Sequence, residues 1–177
     1  MKNRHVILLH ARIKESTLTD ARFATEVMRV HPRTLRRWKG KGGDCVTRAI
    51  AIASGRPYRE VYDRLAEGNA TQRTGKRERV AQARTGRSTA LHGIFTKRKW
   101  FKDYMAESGF EWTATMGIGS GCGVHVRADE LPPEGRLVLK LSKHFAAYVD
   151  GVLRDTWDCS RDGTRCVYGY YAMKEKA

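Results

Sequence analysis

Long apolar stretches are missing where a targeting or membrane segment would need one. The only apolar run near the start is Val6-Ile7-Leu8-Leu9, closed on either side by His5 and His10. Four residues are far too few for a secretory core or a membrane span, so the expectation is a cytoplasmic protein with no membrane partner. Acidic residues are scarce: 19 Asp and Glu stand against 34 Lys and Arg, a net charge of +15. Cysteine is scarce as well, limited to Cys45, Cys122, Cys159 and Cys166. In a cytosolic chain these are expected to be mostly reduced thiols. No internal repeat is present. The glycine-rich run Gly117-Ile118-Gly119-Ser120-Gly121-Cys122-Gly123 lacks the Gly-Lys-Ser/Thr ending of a phosphate loop, so it reads as a strand-edge loop beside a cleft.

What is present is charge in blocks. Residues 1–43 carry 11 basic and 3 acidic residues, and residues 71–104 carry 10 and 2. The stretch between them is balanced, and residues 105–177 are close to neutral. Two cationic blocks on an otherwise neutral chain call for an anionic partner, with nucleic acid the first candidate and plain solubility the alternative. The 177 residues suffice for one domain with a real core, or one domain plus a small appendage.

Glycine marks the boundary. Gly40-Lys41-Gly42-Gly43 is a flexible joint that separates a basic helical segment, 1–42, from a domain over 43–177. In the first part, residues 5–16 fit a helix, although Val6–Leu9 equally suits a short strand. Phe23, Ala24, Val27 and Met28 share one helical face behind a Thr19 cap, and His31-Pro32 opens a second helix with Leu35 and Trp38 inward. Residues 17–40 resemble a helix-turn-helix unit of the repressor or transposase kind. That resemblance implies that Arg33, Arg36, Arg37 and Lys39 bind nucleic acid.

In the second part, helices are predicted over 45–54 (stopped by Gly55), from Pro57 to at least Leu65, and over 95–108 (stopped by Gly109). Residues 68–92 read as a loop or weak helix. The period then changes, and strands are predicted over 112–116, 136–141, 144–149, 152–157 and 166–172, with Asp150-Gly151 a tight hairpin turn. Helices followed by antiparallel strands make an α+β domain.

Three residues in this frame carry chemistry. Cys45 opens the first helix of the domain, where unpaired N–H groups and the helix dipole favour a thiolate. His144 begins a strand. Pairing about Asp150-Gly151 sets Trp157 opposite His144, so Asp155 becomes its diagonal neighbour on the same face, about 7–8 Å away. Asp158 falls on the other face and is held in reserve. The residues Asp44-Cys45-Val46-Thr47-Arg48-Ala49-Ile50-Ala51-Ile52-Ala53 and Asp150-Gly151-Val152…Asp155-Thr156 resemble the papain-like cysteine peptidase superfamily, above all papain-like proteins borne by bacteriophages. The resemblance covers about residues 43–172. It implies a papain-like fold, Cys45 as nucleophile, His144 as base and Asp155 as the group that orients the imidazole. A protein or peptide substrate, no cofactor, no metal, and the host cytoplasm as location follow from it. One departure stands out: Trp38–Asp44 contains no Gln to donate to an oxyanion.

The function expected is a thiol-dependent hydrolase that opens an amide, isopeptide or thioester bond. The alternative is a DNA-binding protein whose second domain is catalytically inert. Lesser constellations remain. Cys122, His125, Cys159 and Cys166 form a poorly spaced Cys₃His zinc set, Cys159 and Cys166 could pair as a disulfide, and Trp100-Phe101 among Lys97, Arg98, Lys99 and Lys102 could stack on bases, though such aromatics more often face the core.

Overall fold

The structure, a computed structural model, describes residues 43–70, 90 and 94–174, together with the backbone of residues 6–8. The helix-turn-helix-like stretch with Arg33, Arg36, Arg37 and Lys39 lies outside the described residues, as do 71–89 and 91–93. The described chain runs β1 (Val6–Leu8), α1 (Cys45–Ser54), α2 (Tyr58–Ala70), α3 (Lys99–Glu107), β2 (Phe110–Ala114), β3 (Arg136–Leu141), β4 (His144–Val149), β5 (Val152–Asp155) and β6 (Val167–Met173). Three helices pack against a five-stranded antiparallel sheet, an α+β arrangement as expected. The short β1 adds to the edge parallel to β5, giving the order β1-β5-β4-β3-β6-β2. Of the two expectations for residues 5–16, Val6–Leu8 adopts the strand.

Both faces of the sheet are covered, which explains why β3 and β4 read as nearly continuous apolar runs rather than alternating ones. On one face Val138, Phe145, Ala147 and Tyr171 meet Ile50 of α1, Val61 and Leu65 of α2, and Phe101 and Met105 of α3. On the other, Leu137, Leu139, Ala146, Tyr148 and Leu153 are roofed by Val126 and Leu131 from the long β2–β3 connection. Among the described residues no helix is long and apolar enough to cross a membrane.

Local chemistry sets most boundaries. Gly55 takes a left-handed φ of 70° and closes α1. Helix α2 continues five residues past Leu65. Gly68 in this extension leaves room for the Trp100 ring, which would meet any Cβ there. Helix α3 starts four residues later than predicted, because Phe95–Arg98 form a turn closed by the Arg98 N–H on the Phe95 carbonyl at 3.0 Å. Strand β2 begins at Phe110 instead of residue 112, directly after Gly109 with its φ of 85°. Strand β5 ends at Asp155, not residue 157, since the next amide, Thr156 N–H, turns onto the Asp155 carboxylate at 2.7 Å.

The cysteine expectations need correction. Cys122 and Cys166 form a disulfide across 44 residues of chain, while Cys45 and Cys159 are free. Backbone pairing brings the bonded pair together: the Val126 N–H bonds the Arg165 carbonyl at 2.9 Å, and the Val167 N–H bonds the Val124 carbonyl at 2.8 Å. Cys159 is therefore no partner of Cys166. The Cys₃His set does not assemble either, because His125 binds Glu130 instead, through Nδ1 at 3.0 Å.

Gly169 shows how tightly β2 is fitted to the sheet. With φ at 153°, it lies under the Trp112 ring, and a Cβ would run into that ring and into the Thr113 carbonyl oxygen. Replacing Gly169 with Ala should cost about 1–3 kcal/mol by overpacking. Chemical denaturation checks this, and a change below about 0.5 kcal/mol would contradict the fit.

Candidate active site

The site is built where α1 meets the β4–β5 hairpin. Asp150 and Gly151 both have positive φ, 50° and 75°. That is the mirror-image turn which matches strand twist and fixes a two-residue hairpin. The observed register, Val149 to Val152 and Ala147 to Arg154, is the one the turn dictates. It leaves His144 at the free end of β4 and Asp155 at the end of β5. A second tight turn, Ser142-Lys143, connects β3 to His144, with Lys143 at φ 54°. This turn is anchored by Arg165 Nη2, which donates to the Ser142 carbonyl at 2.7 Å.

His144 Nε2 and Asp155 Oδ2 are 2.5 Å apart. Side-chain reach thus closes the diagonal separation of the backbone into a direct hydrogen bond. Asp158, the reserve, is engaged elsewhere: its carboxylate accepts from the Ser160 amide at 2.9 Å and the Ser160 hydroxyl at 2.6 Å. The imidazole and the Phe145 backbone N–H also lie close enough to Cys45 to lower its thiol. Cys45, His144 and Asp155 are therefore assembled in one place, joined through the ring of His144.

Cys45 is the first residue of α1, and the first helical bond runs from the Arg48 N–H to the Asp44 carbonyl at 3.1 Å. The N–H groups of the preceding turn are thus outside the helical ladder and point toward the sulfur end of the helix. Burial alone would raise the thiol. The His144 hydrogen bond and charge, the Phe145 amide and Arg48 together outweigh it and hold the Cys45 thiol below its ordinary value of 9.0. Burial likewise disfavours a charged His144, yet hydrogen bonds to Asp155, Cys159 and Cys45 push it up to about 11. Asp155 is lowered despite its burial, by His144 first, then Arg48 and the Thr156 amide. These shifts favour a thiolate and an imidazolium side by side, backed by a carboxylate.

The sequence reading missed the residues that brace this trio. Asp44 is completely buried, and so, nearly, is Arg48. Arg48 Nη1 binds Asp44 Oδ1 at 2.7 Å, Tyr58 donates its hydroxyl to Asp44 Oδ2 at 2.8 Å, and Arg48 Nη2 reaches Asp155 Oδ1 at 3.4 Å. The available signal was an Asp and an Arg four residues apart on a helix that is otherwise apolar. Charges there must be buried, and buried charges must be paired. Trp157, placed opposite His144 by the pairing but given no role, has its half-exposed ring 5.5 Å from that of His144 and carries the Arg165 guanidinium at 5.7 Å.

Cys159 is the second thiol at this place. Its sulfur, a His144 nitrogen and an Asp155 oxygen all lie within 4.8 Å of one another. Such a donor set suits a borderline ion such as zinc, at the expense of the His144–Asp155 hydrogen bond. Burial, reinforced by the Asp155 charge, pushes the Cys159 thiol up, in spite of His144. Cys159 is wholly inaccessible, whereas Cys45 is partly exposed. Two sulfurs thus share one imidazole, and only one of them meets solvent.

Comparison of the chain with protein-family models, with curated proteins and with solved structures finds no match.

Replacing Arg48 with Met would leave the Asp44 carboxylate buried without its cation. The expected cost is about 3–5 kcal/mol in denaturant unfolding, part of it recovered in the Asp44→Asn/Arg48→Met double variant. A loss under about 1 kcal/mol for the single variant would contradict the bracing role.

Proposed function

We propose that the protein is a thiol-dependent hydrolase of papain-like design, acting on an amide, isopeptide or thioester bond in a protein or peptide. The observation that carries the reading is the single imidazole of His144, hydrogen-bonded to a buried carboxylate and close enough to a partly exposed helix-start thiol to lower it. A cysteine-bearing helix set against an antiparallel sheet that bears the histidine supports the papain-like assignment.

The chemistry balances with these residues alone. The Cys45 thiolate attacks the substrate carbonyl carbon, and the electron pair of the C=O bond moves to oxygen. As the tetrahedral adduct collapses, the bond to the leaving nitrogen or sulfur breaks and the His144 imidazolium supplies its proton. An acyl-thioester remains on Cys45. Water then attacks it, giving a proton to the now neutral His144, and the acid product leaves with thiolate and imidazolium restored. Asp155 keeps the ring oriented and stabilises its positive charge throughout. Backbone N–H groups at the start of α1 are the donors available to the oxyanion, in place of the absent Gln.

A second reading, DNA binding through Arg33, Arg36, Arg37 and Lys39 with an inert second domain, is favoured by the 11 basic residues among the first 43. The readings part on a thiol-directed activity probe applied to the full chain. The hydrolase predicts labelling at Cys45, retained in Cys159→Ala and lost by a factor of about 10³ or more in His144→Ala. The thiol is lowered in the fold, so thiolate persists below pH 9.0 and is lost as pH falls through its folded value. The acid limb of the labelling rate should accordingly lie below 9.0 and move upward in His144→Ala. Equal labelling with and without His144, combined with DNA affinity that drops steeply with salt and depends on Arg36, would establish the second reading.

A further inference from the structure

A groove of about 710 Å³ opens between α3 and the β3–β6–β2 end of the sheet, with Phe145, next to His144, in its lining. Its volume is within the range of about 300–1,000 Å³ usual for small-ligand sites. Lys97, Lys102, Lys140 and Lys174 line it. Lys140 is the next-to-last residue of β3, half-buried in a strand whose neighbouring residues Leu139 and Leu141 are sealed, an unusual place for a lysine. Burial and the charges of Lys97 and Lys102 all disfavour its ammonium form. Glu111, the carboxylate in the lining, is held by Lys174 at 3.3 Å. Among the described residues no carboxylate forms an ion pair with Lys97, Lys102 or Lys140. Three like charges gathered around one hollow repel each other, and an anion seated among them would relieve that repulsion.

Beside these cations the lining is aromatic. Trp112 lies 4.7 Å from Tyr171, centroid to centroid, with Lys140 Nζ 5.6 Å from the Trp112 ring, and the indole remains 39 % exposed. A flat apolar surface next to clustered cations fits a ligand that has a planar ring at one end and a phosphate at the other.

We propose that this groove is a nucleotide site, which takes the base against Trp112 and the phosphate among Lys97, Lys102 and Lys140. The unit could be a free nucleotide or one link of a single-stranded nucleic acid, for which the recognition chemistry is shared. The inference does not rest on the hydrolase reading, since none of the groove's cations belongs to the Cys45 site.

The test is fluorescence anisotropy of the full-length protein with labelled oligothymidylate over a salt series, with AMP and ATP as competitors. The expected result is binding that weakens with salt by about 0.7 log units per log unit of salt for each phosphate contact. Lys140→Glu and the milder Lys140→Gln should both weaken it, the former at least tenfold, and both should flatten the salt slope. Trp112→Ala should weaken it by about tenfold. Retention of these effects in an Arg36→Ala background assigns them to the groove and not to the N-terminal segment. Displacement by AMP or ATP identifies a free-nucleotide site, and its failure with oligonucleotide bound identifies a strand site. Binding unchanged in Lys140→Glu, Lys140→Gln and Trp112→Ala, with each variant folded by circular dichroism, would overturn the proposal. Polyglutamate competing as well as the oligonucleotide at equal charge would overturn it too, by showing a site for acidic peptide.

Discussion

The bond between His144 and Asp155 is the constraint on which the candidate site depends. It fixes the imidazole beside Cys45, in a place where burial would otherwise strip its charge. A ring that is charged and oriented lowers the neighbouring thiol; a neutral or freely rotating one would leave burial to raise it. The carboxylate can do this only because its own charge is matched. Arg48 and the Thr156 amide satisfy Asp155, Asp44 satisfies Arg48, and the Tyr58 hydroxyl donates to Asp44. Five charged or polar side chains thus form one chain of hydrogen bonds from α2 through α1 to the hairpin. Removing any internal member leaves a buried charge uncompensated.

The same arrangement separates two sulfurs that share an imidazole. Cys45 gains a helix start, a backbone amide, a cation and access to solvent. Cys159 has the imidazole but is sealed, and it lies near the Asp155 charge, which opposes its ionisation. Proximity to a histidine therefore does not distinguish the two thiols. A helix terminus and access to solvent do, and under the hydrolase proposal they mark Cys45 as the nucleophile.

Much of this was legible in the chain. Asp150-Gly151 fixes a two-residue turn, the turn fixes the register, and the register puts Asp155 instead of Asp158 beside His144. Gly55 and the Ala-rich stretch after Cys45 likewise announce a helix and its end. Residues whose meaning depends on distant partners were not legible. Nothing local joins Cys122 to Cys166, because their approach follows from the pairing of two segments far apart in sequence. Cys159 could be assigned to a metal set by spacing alone, when in fact the turn after β5 folds it back onto His144. The end of β5 depended on a side chain, since Asp155 captures the next amide and stops the ladder. Arg48 looked like one more basic residue in a cationic protein, and only its helical spacing from Asp44 hinted at burial.

The charge state of His144 is the most direct measure of the account. Nitrogen NMR of the full-length protein with isotopically labelled histidine reports whether both ring nitrogens carry protons. The account predicts an imidazolium that persists through neutral pH and titrates toward about 11, falling in Asp155→Asn. A His144 ring that titrates near the ordinary value of 6.5, whether or not Asp155 is present, would contradict it.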